Sequence, residues 1–174
     1  MIETRLVERR DVEAFSKFIL EAWRQAGPSA LGWTGASEEQ IQALASRPFV
    51  ESLLEREGTR LMVAVDGGNV VGFSSNKRVN VSLVELSGIV VLENLTGGGI
   101  GSRLLDAALM VAASDGYEKM IVRTEVWNER AIRFYELNGF VSVEQETIDV
   151  NDAKVRVLVL ERALNQIGRQ PQQS

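Results

Sequence analysis

The stretch Val91-Leu92-Glu93-Asn94-Leu95-Thr96-Gly97-Gly98-Gly99-Ile100-Gly101-Ser102 carries the clearest chemistry in the chain. An apolar strand feeds a turn rich in glycine, and the turn opens an amphipathic helix. Three consecutive glycines leave their backbone N–H groups uncovered by side chains, at the positive end of the helix that follows. Such a place is a seat for a phosphate or pyrophosphate. The dinucleotide pattern Gly-x-Gly-x-x-Gly does not fit: counting from Gly97 puts Ser102 at the third glycine, and counting from Gly99 puts Leu104 there. A P-loop ends in Gly-Lys-Ser/Thr, and the lysine is missing. A turn that only caps a helix would seldom use three glycines, given the conformational freedom they give up on folding. Phosphate binding is the stronger reading.

A second constellation runs from Val126 to Phe140 and holds Asn128 and Tyr135. Taken singly, Asn128 reads as a helix cap and Tyr135 as a core residue. The rest of the composition limits what chemistry these residues can join. There is no cysteine and no histidine. Disulfides, thiol catalysis, thiolate metal sites and a Ser-His-Asp triad are thereby excluded, and no metal is expected. Acid–base work must fall to Asp, Glu, Tyr, Lys, water or the backbone. A net charge of −5 argues against a nucleic-acid-binding face. It suits a cationic amine, although mild acidity also serves solubility alone. No apolar run reaches membrane-span length, and the charged N-terminus does not read as a signal peptide, so a cytoplasmic protein is expected.

These residues need elements to hold them. Residues 2–7 read as a strand, and Asp11 as the cap of a helix with Val12, Phe15, Phe18, Ile19, Ala22 and Trp23 at helical spacing. Gly27-Pro28 stops it, and Ser29 to Gly35 is a loop with Leu31 and Trp33. Ser37 to Gln40 is a capping box, and Pro48 opens a further helix ending at Gly58. Leu61, Val63 and Val65 alternate as a strand. Asp66-Gly67-Gly68-Asn69 turns it into Val70 to Ser75. A turn at Asn76-Lys77-Arg78 leads to a long strand, Val81 to Leu92, in which Gly88 marks a bulge or a close approach by a ligand. Ile100, Leu104, Ala108 and Val111 mark a helix ended by Asp115-Gly116. Met120 to Val126 is a strand, and Asn128 to Asn138 a helix. Phe140 to Val150 and Val155 to Leu160 are final strands joined at Asn151-Asp152. The hairpins require antiparallel neighbours, and the two strand–helix–strand crossovers favour parallel ones. The fold class is α/β (α+β), one domain over 1–165 with a mixed, mostly antiparallel sheet of about seven strands flanked by helices; 166–174 read as a polar, disordered tail.

Together the two constellations resemble the GCN5-related N-acetyltransferase superfamily. The family pattern after the central strand is commonly Val-x-Pro-x-x-Arg/Gln-x-x-Gly-x-Gly/Ala. Val91 fits its valine, and Gly99-Ile100-Gly101 its terminal Gly-x-Gly. The later Asn-x-x-Ala-x-x-x-Tyr-x-x-x-Gly-Phe is met by Asn128, Ala131, Tyr135, Gly139 and Phe140. The element order agrees from about Ile2 to Leu160. Glu93 stands where Pro is common, and Thr96 where Arg or Gln is common, which removes one side-chain phosphate contact.

The resemblance implies acetyl-CoA as co-substrate. Its pyrophosphate would sit on backbone N–H groups of Gly97, Gly98, Gly99, Ile100 and Gly101, beside Thr96 and the Ser102 hydroxyl. Its pantetheine arm would run along Ile89, Val90 and Val91 as an added strand, with β-pairing there loosened near Gly88, and Asn128 would meet the pantetheine region. A backbone N–H near Val90 would stabilise the oxyanion, and Tyr135 would return a proton to the departing sulfur. Glu85 stands where some members place a catalytic glutamate; a solvated strand residue is an equal reading, and Glu125 is a substitute. Trp23, Leu31, Trp33 and Asn76-Lys77-Arg78 are candidates for acceptor recognition. The implied reaction is acetyl transfer to a primary amine, small-molecule or protein, by direct attack in a ternary complex. The alternatives are a non-catalytic acyl-CoA-binding module on the same fold and an NAD-dependent enzyme. A homodimer through late strands also follows from the resemblance.

Overall fold

Helical apolar spacing between residues 12 and 26 and strict alternation after residue 59 set the frame of the N-terminal half. A computed structural model describes residues 1–26, 37–150, 152–165 and 167. The elements are β1 (Glu3–Leu6), α1 (Val12–Ala26), α2 (Glu38–Leu44), α3 (Arg47–Glu55), β2 (Thr59–Asp66), β3 (Asn69–Arg78), β4 (Leu83–Val91), α4 (Ile100–Ser114), β5 (Lys119–Glu125), α5 (Glu129–Leu137), β6 (Val141–Val150) and β7 (Ala153–Ala163). Short 3-10 turns precede α1 and follow β4, the second at Glu93–Leu95. The seven strands form one sheet in the order β1-β2-β3-β4-β5-β7-β6. The mixed, mostly antiparallel sheet expected from the sequence is present. Contacts divide the chain into two compact units, 1–77 with 87–108 and 78–86 with 109–174, so β4 contributes to both.

In the first unit, β1, β2 and β3 pair antiparallel. The apolar stripe of α1 (Val12, Phe15, Phe18, Ile19, Ala22) packs on Leu61, Val63 and Val70, with Ile41, Ala45 and Val50 from the region of α2 and α3. Phe73 meets Phe15 and Phe18 edge-on, with ring centroids 5.1 and 5.9 Å away. The opposite face of the strands holds Met62, Ala64, Ser74 and Asn76, all buried. There the Ser74 hydroxyl donates to the Leu104 carbonyl at 3.3 Å, and Asn76 Nδ2 to the Ala108 carbonyl at 2.8 Å, fastening β3 to α4. A Cβ on Gly72 would lie 2.9 Å from the Val90 carbonyl oxygen and 3.0 Å from Leu104 Cδ1, so only glycine lets β3, β4 and α4 meet there.

In the second unit, β4 and β5 run parallel with the register Leu83↔Lys119 to Leu86↔Val122. β7 is antiparallel to both β5 and β6. The first strand–helix–strand crossover thus gives a parallel pair, whereas the second does not, because β7 lies between β5 and β6 in the strand order. Met120, Val122, Leu160, Tyr135 and Phe140 are buried here.

Two local expectations are corrected. Asn76-Lys77-Arg78 is not a turn: β3 continues to Arg78, and the chain reverses after it. The reversal is set by Asn80, whose Oδ1 accepts from the N–H groups of Ser82 and Leu83 at 3.0 and 2.9 Å. Asp11 does not simply cap α1. Its carboxylate reaches back to the Glu8 N–H at 2.8 Å and takes a two-pronged ion pair from Arg5 at 2.6 and 2.8 Å. Gly27-Pro28, the loop with Leu31 and Trp33, Asn151 and nearly all of the polar tail lie outside the described residues.

Candidate active site

The glycine turn is built in three steps. β4 ends at Val91, the 3-10 turn Glu93–Leu95 follows, and Thr96 is extended. Gly97 and Gly99 then adopt φ of 85° and 79°, which side chains with a Cβ rarely tolerate. The Gly99 carbonyl accepts the first α4 hydrogen bond, from Arg103 N–H at 3.1 Å. The N–H groups of Ile100, Gly101 and Ser102 therefore open the helix without intrahelical partners. Gly97, Gly98, Gly99 and Ser102 are exposed and Gly101 half-buried, whereas the Ile100 side chain is buried in the core. Cβ positions on Gly97 and Gly99 would meet open space. The result is an exposed cradle of backbone donors, and it fits a pyrophosphate. The Thr96 hydroxyl donates to the Glu93 carbonyl at 2.8 Å and closes the 3-10 turn.

Just upstream, Gly88 has φ of 157° and open space at its Cβ position. β4 departs from regular geometry there, and Ile89, Val90 and Val91 follow, each half-buried. The Leu92 N–H donates to the Val71 carbonyl at 3.1 Å, where β3 carries an extra residue between its pairings with Ala64 and Val65.

In the second unit, Glu85 stands between the buried Val84 and Leu86, with its own side chain on the other face of β4. It is not free: Arg123 Nη1 lies 2.9 Å from its Oε2. The same guanidinium donates through Nε to Glu146 Oε2 at 2.8 Å. One arginine on β5 thus joins carboxylates from β4 and β6, with all three side chains about a quarter to a third exposed. The pairing raises the pKa of Arg123 and lowers that of Glu146, in each case chiefly through their mutual hydrogen bond. Glu125 is half-buried, two residues along β5.

Tyr135 is 6% exposed on α5, with Phe140 edge-on at 5.5 Å. Burial pushes its phenol up to about 12. The proton is held across the whole physiological range. Asn128 Oδ1 accepts from the Ala131 N–H at 3.1 Å, so the residue caps α5 through its oxygen. Among the acceptor candidates, Trp23 packs against the α1 core and Asn76 is buried with its amide on α4; Lys77 and Arg78 are exposed. Asn76 is thereby removed from the recognition set. Arg123 and Glu146 are absent from the sequence-based set. The signal for Arg123 was a charge in mid-strand, on the face of β5 that also carries Lys119, Ile121 and Glu125.

These features coincide with a family assignment. The model of the acetyltransferase (GNAT) family matches residues 17–140. The chain belongs to that family. An uncharacterized N-acetyltransferase of Bacillus subtilis (strain 168) is 29% identical over 101 residues, covering 53% of this chain and 65% of that protein's length. Among solved structures, the PaiA N-acetyltransferase of Thermoplasma acidophilum in complex with coenzyme A has a TM-score of 0.68 at 20% identity, covering 94% of this chain and 99% of that one. The ribosomal-protein-S18-alanine N-acetyltransferase of Escherichia coli has a TM-score of 0.69 at 16% identity, covering 98% of each chain. These similarities show the fold. Among the described residues no helix is long and apolar enough to cross a membrane.

Proposed function

We propose that the protein transfers an acetyl group from acetyl-CoA to a primary amine by direct attack in a ternary complex. The observation that carries this reading is the turn at Gly97–Gly99, whose left-handed glycines and helix-opening N–H groups would form a pyrophosphate cradle in a chain of the acetyltransferase family. The T. acidophilum relative in complex with coenzyme A supports the choice of guest. When bound, acetyl-CoA would supply the activated acyl group. Gly97, Gly98, Gly99, Ile100 and Gly101 would hold its pyrophosphate through their N–H groups, with the Ser102 hydroxyl beside them. Ile89, Val90 and Val91 would pair with the pantetheine arm, and Asn128 Nδ2 would donate to it.

Tyr135 would supply the proton for the leaving sulfur, and its burial keeps that proton in place. Glu85 would take the proton from the acceptor's ammonium, directly or through water, which frees the amine lone pair to attack the thioester carbonyl. Because Arg123 occupies its Oε2, Oε1 is the oxygen left for this task. A small amine is favoured as acceptor. A cytoplasmic homodimer completes the proposal and is checked by cell fractionation and light scattering.

The test is release of coenzyme A thiol with a panel of amines, wild type against Tyr135→Phe. Turnover that falls in the variant while acetyl-CoA binding is retained supports the reading. Tight acetyl-CoA binding without turnover on any amine would indicate a binding module. A thermal shift with NAD but not with coenzyme A would replace the cofactor.

A further inference from the structure

The 3-10 turn that leads into the glycine cradle has a first N–H, that of Glu93, which no carbonyl within so short a turn can satisfy. Gln25, in the last turn of α1 and far away in sequence, meets it: its Oε1 accepts from the Glu93 N–H at 2.9 Å. The Gln25 amide is itself aimed by Glu21, one helical turn earlier, whose Oε1 accepts from Nε2 at 2.9 Å. On its other side, the Glu93 carbonyl accepts from the Thr96 hydroxyl at 2.8 Å and the Thr96 N–H at 3.2 Å. The neighbouring Leu92 N–H is held by Val71. Glu93 is thus gripped through both of its backbone groups, from α1 before it and from Thr96 after it, four residues ahead of the first left-handed glycine.

We propose that Gln25 is a positioning residue for coenzyme A: through Glu93 it fixes the approach to the turn, and so the direction in which the Gly97–Gly101 N–H groups point. This rests on the reading of that turn as the pyrophosphate seat. A preformed cradle binds more tightly than one that must be ordered on binding. Removing the Gln25 acceptor should therefore weaken coenzyme A while leaving the chemical step alone.

Three proteins are compared by titration with coenzyme A, by steady-state kinetics, and by amide exchange at Glu93. They are the wild type, Gln25→Met, and the double variant Glu21→Gln with Gln25→Glu. The double variant reverses the relay yet keeps an acceptor facing Glu93. In Gln25→Met, the coenzyme A Kd and the acetyl-CoA KM should rise about tenfold, Glu93 exchange should quicken by a similar factor, and kcat should hold within about twofold. The double variant should stay near wild type. An unchanged Kd in Gln25→Met, unchanged exchange at Glu93, or a double variant that fails as the methionine variant does would each overturn the proposal. A wild type that does not bind coenzyme A at all would overturn the acetyl-CoA reading and this role with it. Glu93 exchange would then still report whether the contact exists.

Discussion

Tyr135 shows how one environment sets both a chemical role and a stability. Its phenol is pushed up to about 12 by burial alone. In the unfolded chain it would ionise near pH 10. The unfolded state therefore sheds this proton first as pH rises. The stabilisation is fully present below about pH 10 and is lost as pH climbs to about 12, a swing of roughly 2 to 3 kcal/mol. Tyr135→Phe should flatten this part of the urea-midpoint profile, and should lower kcat about tenfold to a hundredfold with little change in the acetyl-CoA KM. Arg123 gives the complementary case. Arg123→Met leaves the Glu85 and Glu146 carboxylates without the cation between them and should cost about 1 to 2 kcal/mol, measured by denaturant midpoint; adding Glu146→Gln should recover part of the loss. Tyr135 and Asn128 stood out in the sequence because the resemblance runs through their spacing, and Glu85 because it lies six residues before Val91 on the same strand. The partner of Glu85 was not. Arg123 lies on another strand, and the register Leu86↔Val122 that brings the two within reach belongs to tertiary structure.

Within the turn that opens α4, the three successive glycines are not equivalent. Gly97 and Gly99 need positive φ, but Gly98 does not, and a Cβ on Gly98 would meet only the Leu95 carbonyl at 3.5 Å. Gly99→Ala should cost roughly 1 to 2 kcal/mol of stability and weaken coenzyme A binding, whereas Gly98→Ala should change either far less. Thermal melts and titration calorimetry separate the two. The strain at Gly72 is of another kind, since a methyl there would press on the Val90 carbonyl and on Leu104; Gly72→Ala should lower the melting temperature without any φ penalty. The elements themselves were largely legible: periodicity located all seven strands, the capping box at Ser37 is present, and Gly116 and Gly139 follow the ends of α4 and α5. The end of β3 was misread because Ser74 and Asn76 break the apolar alternation. Their buried polar groups are answered by α4 carbonyls about thirty residues away, which local pattern cannot reveal.

For the molecule as a whole, the domain proposed over 1–165 leads to a truncation test. The Ile167 N–H still donates to the Leu164 carbonyl at 3.0 Å, so the cut belongs after Ile167. Removal of 168–174 should leave melting temperature and coenzyme A affinity unchanged. The strand order was less legible than the strands, because the second crossover suggested a parallel pair and β7 stands between its two strands instead. That placement has a consequence for a chain emerging from the ribosome. β7 is the last of the seven strands to be made, yet it completes the ladders of both β5 and β6. At ordinary synthesis rates, on the order of two to eight seconds pass between the exit of Glu125 and that of Ala163. Throughout that interval β5 offers an open edge to any passing strand, so nascent chains stalled before Ala153 should be the ones that recruit chaperones or aggregate.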